Sequence, residues 1–288
     1  MFCVGATKAG TSWLHDYLES HPDAHVRSIK ELHYFDTLDR QGQNWQISDI
    51  RKRIEILSDR MDGAGINKRE KLQNRITDYN ELIALLETRQ ESAADYLGFL
   101  NAGRRNQKII VDITPAYGLL SVQRFGKMAK LAANVRFIYI LRDPVSRLWS
   151  HIRMIAGRNS FGDADVQARA DEVFADLGNG QHNGIIERSD YRSTLERLNK
   201  ALDPSQLLVV FYEELFSYKT IERICNFLGI GLAMAKLGVR VHVGPEATMN
   251  AKQRKHAQLM LAPQYEYVHG RFGQLPDAWQ SNMSGVKI

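Results

Sequence analysis

The first twenty residues constrain the fold more than any other stretch of the chain. Residues 2–4 form a short apolar run, which is typical of a buried parallel strand. A glycine-bounded segment follows at 5–12, and apolar side chains at helical spacing predict a helix that begins at Thr11 or Ser12. Such a unit points several backbone N–H groups and the positive end of a helix dipole at one place. The sequence therefore predicts an anion-binding loop in an α/β fold; an ordinary turn is the alternative.

The lysine of this loop stands in an unusual place. The pattern G-x-x-x-x-G-T-S is close to the nucleotide-binding P-loop, in which lysine directly follows the second glycine and precedes a magnesium-binding Ser/Thr. Here Thr11 occupies that position, and the lysine is Lys8, inside the loop. The Lys8 ammonium is therefore expected beside the outer end of the anion that the loop binds. A P-loop kinase is an alternative, because the apolar strand predicted from residue 108 reaches Asp112, which with Thr11 would hold magnesium.

Size and composition limit the functional classes. The 288 residues, 44% of them hydrophobic, suffice for a large core, and we expect one domain over 1–288 with insertions near 41–100 and 157–185. The 38 basic against 33 acidic residues suit a small anionic ligand, not nucleic acid. Cys3 and Cys225 stand apart, which argues against a disulfide framework or a zinc site. Since no leader and no apolar run of about eighteen residues is evident, we expect a cytoplasmic protein without a membrane span.

A second polar segment lies among aromatic residues at 28–36. It holds Lys30, Glu31, His33 and Asp36 in close succession. A glutamate beside apolar walls has a raised pKa and can act as a general base. Glu31 is therefore the first candidate for a base, and His33 is the second. The alternative is a solvated strand on which Lys30 and Glu31 merely form an ion pair.

The clearest buried strand is VRFIYIL at 135–141, and polar residues follow it directly. Asp143 and Pro144 suit the N-cap and the first position of a helix. Open α/β sheets bind ligands at the carboxyl edge of their strands, so Arg142 and Ser150 are placed to meet a second phosphate beside the first loop. Helix capping explains Asp143 and Pro144, but it does not explain Arg142 and Ser150.

These segments together resemble one enzyme family. Residues 8–13 (KAGTSW) resemble the 5′-phosphosulfate loop of sulfotransferases that use 3′-phosphoadenosine-5′-phosphosulfate (PAPS). The run R-D-P-x-x-R-x-x-S at 142–150 matches their 3′-phosphate motif. The stretches K-E-x-x-Y-F-D at 30–36 and D-x-T-P-x-Y at 112–117 are similar to the carbohydrate, heparan-sulfate-type branch and its bacterial relatives. Ile113, however, stands where many of those enzymes have lysine.

The resemblance implies a P-loop-NTPase-like sulfotransferase fold, an α/β fold with a central parallel sheet flanked by helices. It implies transfer of a sulfuryl group from PAPS to a hydroxyl or amine, with adenosine 3′,5′-bisphosphate (PAP) as the product and no metal. The donor-binding residues implied are Lys8, Ala9, Gly10, Thr11, Ser12, Trp13, Arg142, Ser150 and Tyr191. Lys8 would also neutralise the leaving oxygen. On the acceptor side, the resemblance implies Glu31 as the base, with His33 as the alternative. It implies that Glu31, His33 and Asp36 all line the acceptor site.

Several features are weaker signals. Trp13 either stacks on the adenine or packs in the core. Residues 60–74, rich in Lys, Arg, Asn and Gly, predict an exposed loop. Lys252, Arg254 and Lys255 stand where sulfotransferases place a basic loop over the 3′-phosphate, but the usual glycine is absent, so a solvated turn is the alternative. The acceptor, whether small molecule, glycan or lipid, and the oligomeric state are not fixed by the fold. A non-catalytic nucleotide-binding protein is a further alternative.

Overall fold

A five-stranded parallel sheet forms the centre of the computed structural model, which describes residues 1–159, 163–238 and 244–283. The strands are β1 (Phe2–Gly5), β2 (Ala24–Val26), β3 (Ile109–Ile113), β4 (Phe137–Leu141) and β5 (Leu207–Phe211). Their order is β2-β3-β1-β4-β5, and every pair is parallel. The apolar run at 2–4 is thus a strand, and the predicted fold class is confirmed.

Helices cover this sheet. In the described residues they are α1 (Thr11–Glu19), α2 (Tyr34–Asp39), α3 (Gln43–Asp59), α4 (Ile66–Glu87), α5 (Ala93–Asn101), α6 (Val122–Met128), α7 (Pro144–Ala156), α8 (Asp163–Leu177), α9 (Asn183–Glu187), α10 (Tyr191–Ala201), α11 (Tyr218–Leu228), α12 (Ala251–Phe272) and α13 (Asp277–Gln280). The predicted insertion at 41–100 contains α3, α4 and α5. The one at 157–185 contains α8 and α9, and its residues 160–162 lie outside the described part of the chain.

The exposed loop predicted at 60–74 is wrong in its second half. The structure begins α4 at Ile66, so only a short turn separates it from α3. Two apolar side chains of α4 are buried: Leu72, which lies within the stretch at 60–74, and Tyr79, which lies beyond it. Packing of this apolar stripe against α3 outweighs the local polarity of the stretch, because most helical stability comes from tertiary packing.

The centre of the sheet is built from the two strands that carry the strongest apolar signal. All residues of β1 and β4 are buried. Phe2 of β1 lies opposite Phe137 of β4, with ring centroids 5.3 Å apart. Full burial of each such apolar side chain stabilises the fold by roughly 1.5–3 kcal/mol. The ends of β1 and β4 are therefore held rigidly side by side.

The chain leaves these two neighbouring strands in opposite directions. From β1 it continues to β2 on one side of the sheet, and from β4 it continues to β5 on the other. A crevice opens at such a switch point, at the carboxyl edge, and this is where open α/β sheets bind ligands. The predicted anion loop and Arg142 both lie there.

Candidate active site

The loop after β1 is tied to the neighbouring strand and shaped by glycine. The amide of Ala6 donates to the carbonyl of Ile140 at 2.9 Å. Gly10 precedes α1 with φ 85°, and a Cβ at this position would lie 2.9 Å from the ring of Tyr212. Only glycine meets both requirements. No side chain caps α1 at Gly10, so the first N–H groups of the helix are available to an anion.

Arg142 stands at the end of β4 and contacts this loop directly. Its Nη1 donates to the carbonyl oxygen of Lys8 at 2.8 Å, and its guanidinium lies 4.5 Å from the ring centroid of Tyr212. The Tyr191 hydroxyl donates to the Arg142 carbonyl at 2.6 Å. Tyr191 is fully buried and positions the backbone of Arg142, while its contact with a nucleotide stays a prediction. Lys8 and Arg142 are therefore direct neighbours.

The side chain of Lys8 lies in an excess of positive charge. Its backbone is left-handed, with φ 71°. Burial lowers the pKa of the Lys8 ammonium, and the positive charges of Arg142 and Arg153 lower it further. Lys30 acts in the same direction, whereas Glu31 opposes it. Because more cations than anions act on Lys8, a polyanionic ligand would compensate the excess positive charge.

Arg147 is a supporting residue that lies in the motif at 142–150 but was not among the predicted site residues. Its side chain is wholly buried and contacts no carboxylate in the described residues. It donates to the Ser189 hydroxyl from Nε at 3.0 Å, to the Ile185 carbonyl at 2.7 Å and, from Nη1, to the Thr7 carbonyl at 3.4 Å. Burial lowers its pKa to about 10. Arg147 thus joins the loop at 5–12, called the donor loop below for its predicted role, to α9. The signal was its fixed place in R-D-P-x-x-R.

The remaining predicted donor residues divide into accessible and packed side chains. Ser12 and Ser150 are half-buried at the cleft, and Ala9 and Thr11 are buried in the loop. Trp13 is only 5% exposed. Its indole stacks on Tyr17 at 5.9 Å between ring centroids, and its Nε1 donates to the Lys236 carbonyl at 3.2 Å. The packing of Trp13 is therefore that of a core residue, as in the second of the two predicted roles, and it fixes α1 behind the donor loop.

The acceptor segment predicted at 28–36 lies against the ends of β3 and α1. Two backbone amides dock it: Glu31 donates to the Ile113 carbonyl at 3.2 Å, and Leu32 donates to the Thr114 hydroxyl at 3.0 Å. The Lys30 ammonium donates to the Ser12 hydroxyl at 2.5 Å. This last contact brings the acceptor segment to the donor loop, so the two predicted halves of the site meet.

Glu31, His33 and Asp36 form a chain of alternating charges. His33 Nδ1 lies 2.9 Å from Asp36 Oδ2, and Nε2 lies 3.8 Å from Glu31 Oε2. Burial opposes charge on His33, but bonding to Asp36 and Glu31 raises its pKa to about 9. Burial opposes charge on Glu31 too, but His33 and then Lys30, 3.3 Å away, lower its pKa to about 2. At neutral pH both residues are ionised. The raised pKa expected for a glutamate in this position is thus wrong.

Comparison with known proteins identifies this arrangement. The model of the sulfotransferase family matches residues 1–233, which is most of the chain. The chain belongs to the sulfotransferase family. The crystal structure of a sulfotransferase from Alicyclobacillus acidocaldarius is similar, with a TM-score of 0.64 at 17% identity over 97% of each chain. The sulfotransferase domain of the Synechococcus PCC 7002 olefin synthase has a TM-score of 0.52 at 18% identity, over 99% of this chain and 91% of that one. No curated protein matches significantly.

In this sulfotransferase, Asp112 does not have the environment of a magnesium ligand. Its carboxylate is buried and accepts hydrogen bonds from the hydroxyls of Tyr96 at 2.6 Å, Thr114 at 2.6 Å and Tyr117 at 3.1 Å. Burial raises its pKa. Asp112 also pairs with Phe2, at the start of β1, whereas the loop begins beyond Gly5. The residue stabilises the core, and the kinase alternative loses its metal ligand.

The basic residues near the C-terminus of the sulfotransferase are not in a loop. Lys252, Arg254 and Lys255 lie at the start of α12, which Asn250 caps. Arg254 donates to the Asn282 side chain at 2.7 Å. The capping signal of Asn250 was present in the sequence, and it outweighs the basic pattern. None of the described helices is long and apolar enough to cross a membrane.

A cavity of about 360 Å³ adjoins the acceptor segment. Asp36, Arg40, Gln123 and Lys127 are among its lining residues, together with the apolar side chain of Leu119. One carboxylate oxygen of Asp36, Oδ1, is buried without a hydrogen-bond partner in the structure. The other bonds to His33, so the cavity lies beside the Glu31–His33–Asp36 chain.

Proposed function

We propose that the chain transfers a sulfuryl group from PAPS to a hydroxyl or amine of an acceptor. The observation that carries this proposal is that Arg142 contacts the backbone of Lys8 and that the positive charges of Arg142, Arg153 and Lys30 all act on the Lys8 ammonium. A donor with phosphate groups at both ends of an adenosine requires two neighbouring anion sites. Glu31 is close to the loop after β1, because its charge acts on the Lys8 ammonium and its neighbour Lys30 donates to the Ser12 hydroxyl.

The residues present fit this donor. The N–H groups at the start of α1, with the side chains of Thr11 and Ser12, would hold the 5′-phosphate. Arg142 and Ser150 would hold the 3′-phosphate, and a guanidinium suits that group because it donates two parallel hydrogen bonds. When bound, PAPS supplies an activated sulfuryl group. No magnesium ligand is required of the protein, because a sulfuryl group carries less charge than a phosphoryl group.

Lys8 would stabilise the leaving oxygen as the bond from sulfur to the phosphate oxygen breaks. A preorganised cation at the point where negative charge develops lowers the barrier of such a reaction more than most other single effects do. The left-handed backbone of Lys8 and the hydrogen bond from Arg142 to its carbonyl fix where the side chain starts. The point from which the Lys8 side chain extends is therefore fixed before the reaction begins.

Glu31, rather than His33, would accept the proton of the acceptor. Both ring nitrogens of His33 face carboxylates, and with a pKa of about 9 the ring is already protonated at neutral pH. It therefore has no free lone pair. The pKa of Glu31, about 2, makes it a weak base that is always ionised. It takes the proton late, after the new bond to sulfur has made the acceptor oxygen acidic.

The acceptor would enter beside Asp36. The adjoining cavity offers the polar side chains of Arg40, Gln123 and Lys127 to the acceptor, whether a small molecule, glycan or lipid. We also propose a cytoplasmic location, because Cys3 and Cys225 are both free thiols, as in a reducing compartment. Fractionation of the source cells tests that location.

Two measurements test the reaction. Calorimetric titration of the wild-type protein with PAP should give one binding site per chain. PAPS with labelled sulfate is then incubated with an extract of the source organism, and the labelled product is identified. We expect transfer with wild type and transfer slowed by about 100-fold or more with Glu31→Gln, although that variant binds PAP. Label transfer from ATP that a chelator stops, without PAP binding, would support a kinase instead.

A further inference from the structure

Arg153 lies one turn beyond Ser150 on α7. The spacing of three residues places the two side chains on adjoining turns of one helix face. Arg153 Nη1 donates to the Pro245 carbonyl at a long 3.4 Å, and its Nε is buried without any hydrogen-bond partner. Among the described residues, no carboxylate lies within ion-pair distance of this guanidinium. Its hydrogen-bonding capacity is therefore largely unused.

The charges around Arg153 make it unusual that its guanidinium has so few hydrogen bonds. Burial lowers the pKa of Arg153 and Arg142 lowers it further, against a weaker opposite effect of Glu246. Arg153 in turn lowers the pKa of Lys8. A half-buried cation that lacks a counter-charge and is repelled by its neighbours is costly. Arg147 also lacks a carboxylate, but its donors are used by Ser189 and two backbone carbonyls.

The unused donors of Arg153 match one end of the donor proposed above. We propose that Arg153 is a further phosphate-binding residue of the donor site, which with Arg142 and Ser150 holds the 3′-phosphate and sets the preference for 3′-phosphorylated adenosine nucleotides. This inference rests on the proposed function. Arg153 supplies from α7 the cation that the basic residues of α12 were expected to supply. Its planar guanidinium forms two parallel hydrogen bonds to phosphate, which an ammonium does not.

The segment at 245–248 holds Arg153 in position. Trp149, on the same helix, donates from Nε1 to the Ala247 carbonyl at 2.9 Å. A Cβ at Gly157 would lie 2.6 Å from Pro245, so the segment packs tightly against the end of α7. The Pro245 carbonyl thereby meets Nη1 at one edge of the guanidinium, and Nη2 has no hydrogen-bond partner among the described residues.

Calorimetric titration with two nucleotides tests the assignment. PAP carries the 3′-phosphate, and adenosine 5′-monophosphate does not. We expect Arg153→Gln to weaken PAP binding by about 10- to 100-fold, since a charge-assisted double hydrogen bond is lost, and to leave binding of the monophosphate unchanged. Arg153→Lys should give an intermediate loss for PAP alone. The matched control is Arg169→Gln, which removes an exposed charge paired with Asp165, and it should change neither affinity.

The outcomes separate this inference from the proposed function. If wild type does not bind PAP, the donor assignment fails and this inference fails with it. If wild type binds PAP but both Arg153 variants bind it equally well, only the role of Arg153 is refuted. If Arg153→Gln weakens the binding of PAP and of the monophosphate equally, the role is also refuted, because Arg153 then attracts any anionic nucleotide through its charge and does not contact the 3′-phosphate. The melting temperature of each variant is measured without nucleotide. If Arg153→Gln melts at a lower temperature than wild type, the ratio of the PAP affinity to the monophosphate affinity of Arg153→Lys decides the question.

Discussion

The guanidinium of Arg142 holds the backbone carbonyl of Lys8 across 134 positions of sequence, at 2.8 Å. One hydrogen bond thus joins the loop after β1 to the end of β4, where the two proposed anion sites lie. Tyr191 fixes the backbone of Arg142 from behind, and Arg147 reaches the same loop at Thr7. The distance between the two anion sites is therefore built into the protein before a donor binds.

Removal of the Lys8 side chain should affect the reaction more than donor binding. We expect Lys8→Ala to lower the rate of label transfer from PAPS by about 100-fold or more, because a preorganised charge at the leaving oxygen is lost. The backbone carbonyl that Arg142 holds is retained, so PAP should still bind. The exposed Lys130→Ala serves as control and should behave as wild type. A rate within a few-fold of wild type for Lys8→Ala would refute the role of Lys8.

Two substitutions distinguish Glu31 from His33 as the base. Glu31→Gln keeps the shape and removes the proton acceptor, so the transfer rate should fall by about 100- to 10,000-fold with unchanged PAP affinity. His33→Asn removes only the group that orients Glu31, and its loss should be clearly smaller. The transfer assay with saturating PAPS measures both. If His33→Asn proves the more severe, the assignments of the two residues are reversed.

The stability of the protein should depend on pH through His33. Asp36 and Glu31, against the effect of burial, raise its pKa from 6.5 to about 9. The folded chain binds this proton more tightly than the unfolded chain, so the stabilisation is complete below pH 6.5 and is lost as pH rises through about 9. Urea unfolding should show a steeper fall in the free energy of unfolding over this window for wild type than for His33→Asn. The exposed His256→Asn should retain the wild-type slope.

The sequence predicted those parts of the site that follow directly from a strand end. Lys8 and Arg142 both come immediately after buried strands, and parallel strands present their carboxyl ends at one edge, so local patterns sufficed. Arg147 and Tyr191 were different. Whether a polar side chain on a helix faces a ligand or supports a loop depends on partners distant in sequence, such as Ser189 for Arg147.

Electrostatics were the least predictable feature. The composition around Glu31 favours a raised pKa, since apolar neighbours penalise its charge. The structure brings both His33 and Lys30 to the carboxylate, and their effect outweighs burial. The left-handed backbone of Glu31 and His33, with φ 59° and 53°, turns these side chains together. No periodicity in the sequence encodes such a turn.

The contact between Ser189 and Arg147 should matter for stability and for donor binding. Ser189→Ala leaves Nε of a buried guanidinium without its hydroxyl partner, so the free energy of unfolding should fall by about 1–3 kcal/mol. Because Arg147 also reaches the donor loop at Thr7, PAP affinity should fall as well. Chemical denaturation and calorimetry measure the two effects. Ser48→Ala, an exposed position on α3, should alter neither.

Gly10 offers the sharpest test of the donor loop, because the chain provides a matched control. Gly10 and Gly63 are both left-handed, with φ 85° and 72°, so alanine at either position is strained by about 1–2 kcal/mol. At Gly63 nothing lies within 4 Å of the added Cβ, whereas at Gly10 the ring of Tyr212 and a methyl of Leu215 lie at 2.9 and 3.0 Å. Gly63→Ala should therefore show the strain alone.

Gly10→Ala should lose more stability than Gly63→Ala and should also bind PAP more weakly, by about 10-fold or more. The added Cβ pushes Tyr212, and Arg142 lies over that ring, so both anion sites shift together. Urea unfolding and calorimetric titration of both variants measure the difference. If both variants lose the same stability and bind PAP equally well, the close approach of Gly10 to Tyr212 has no part in donor binding. The loop would then tolerate a side chain at position 10.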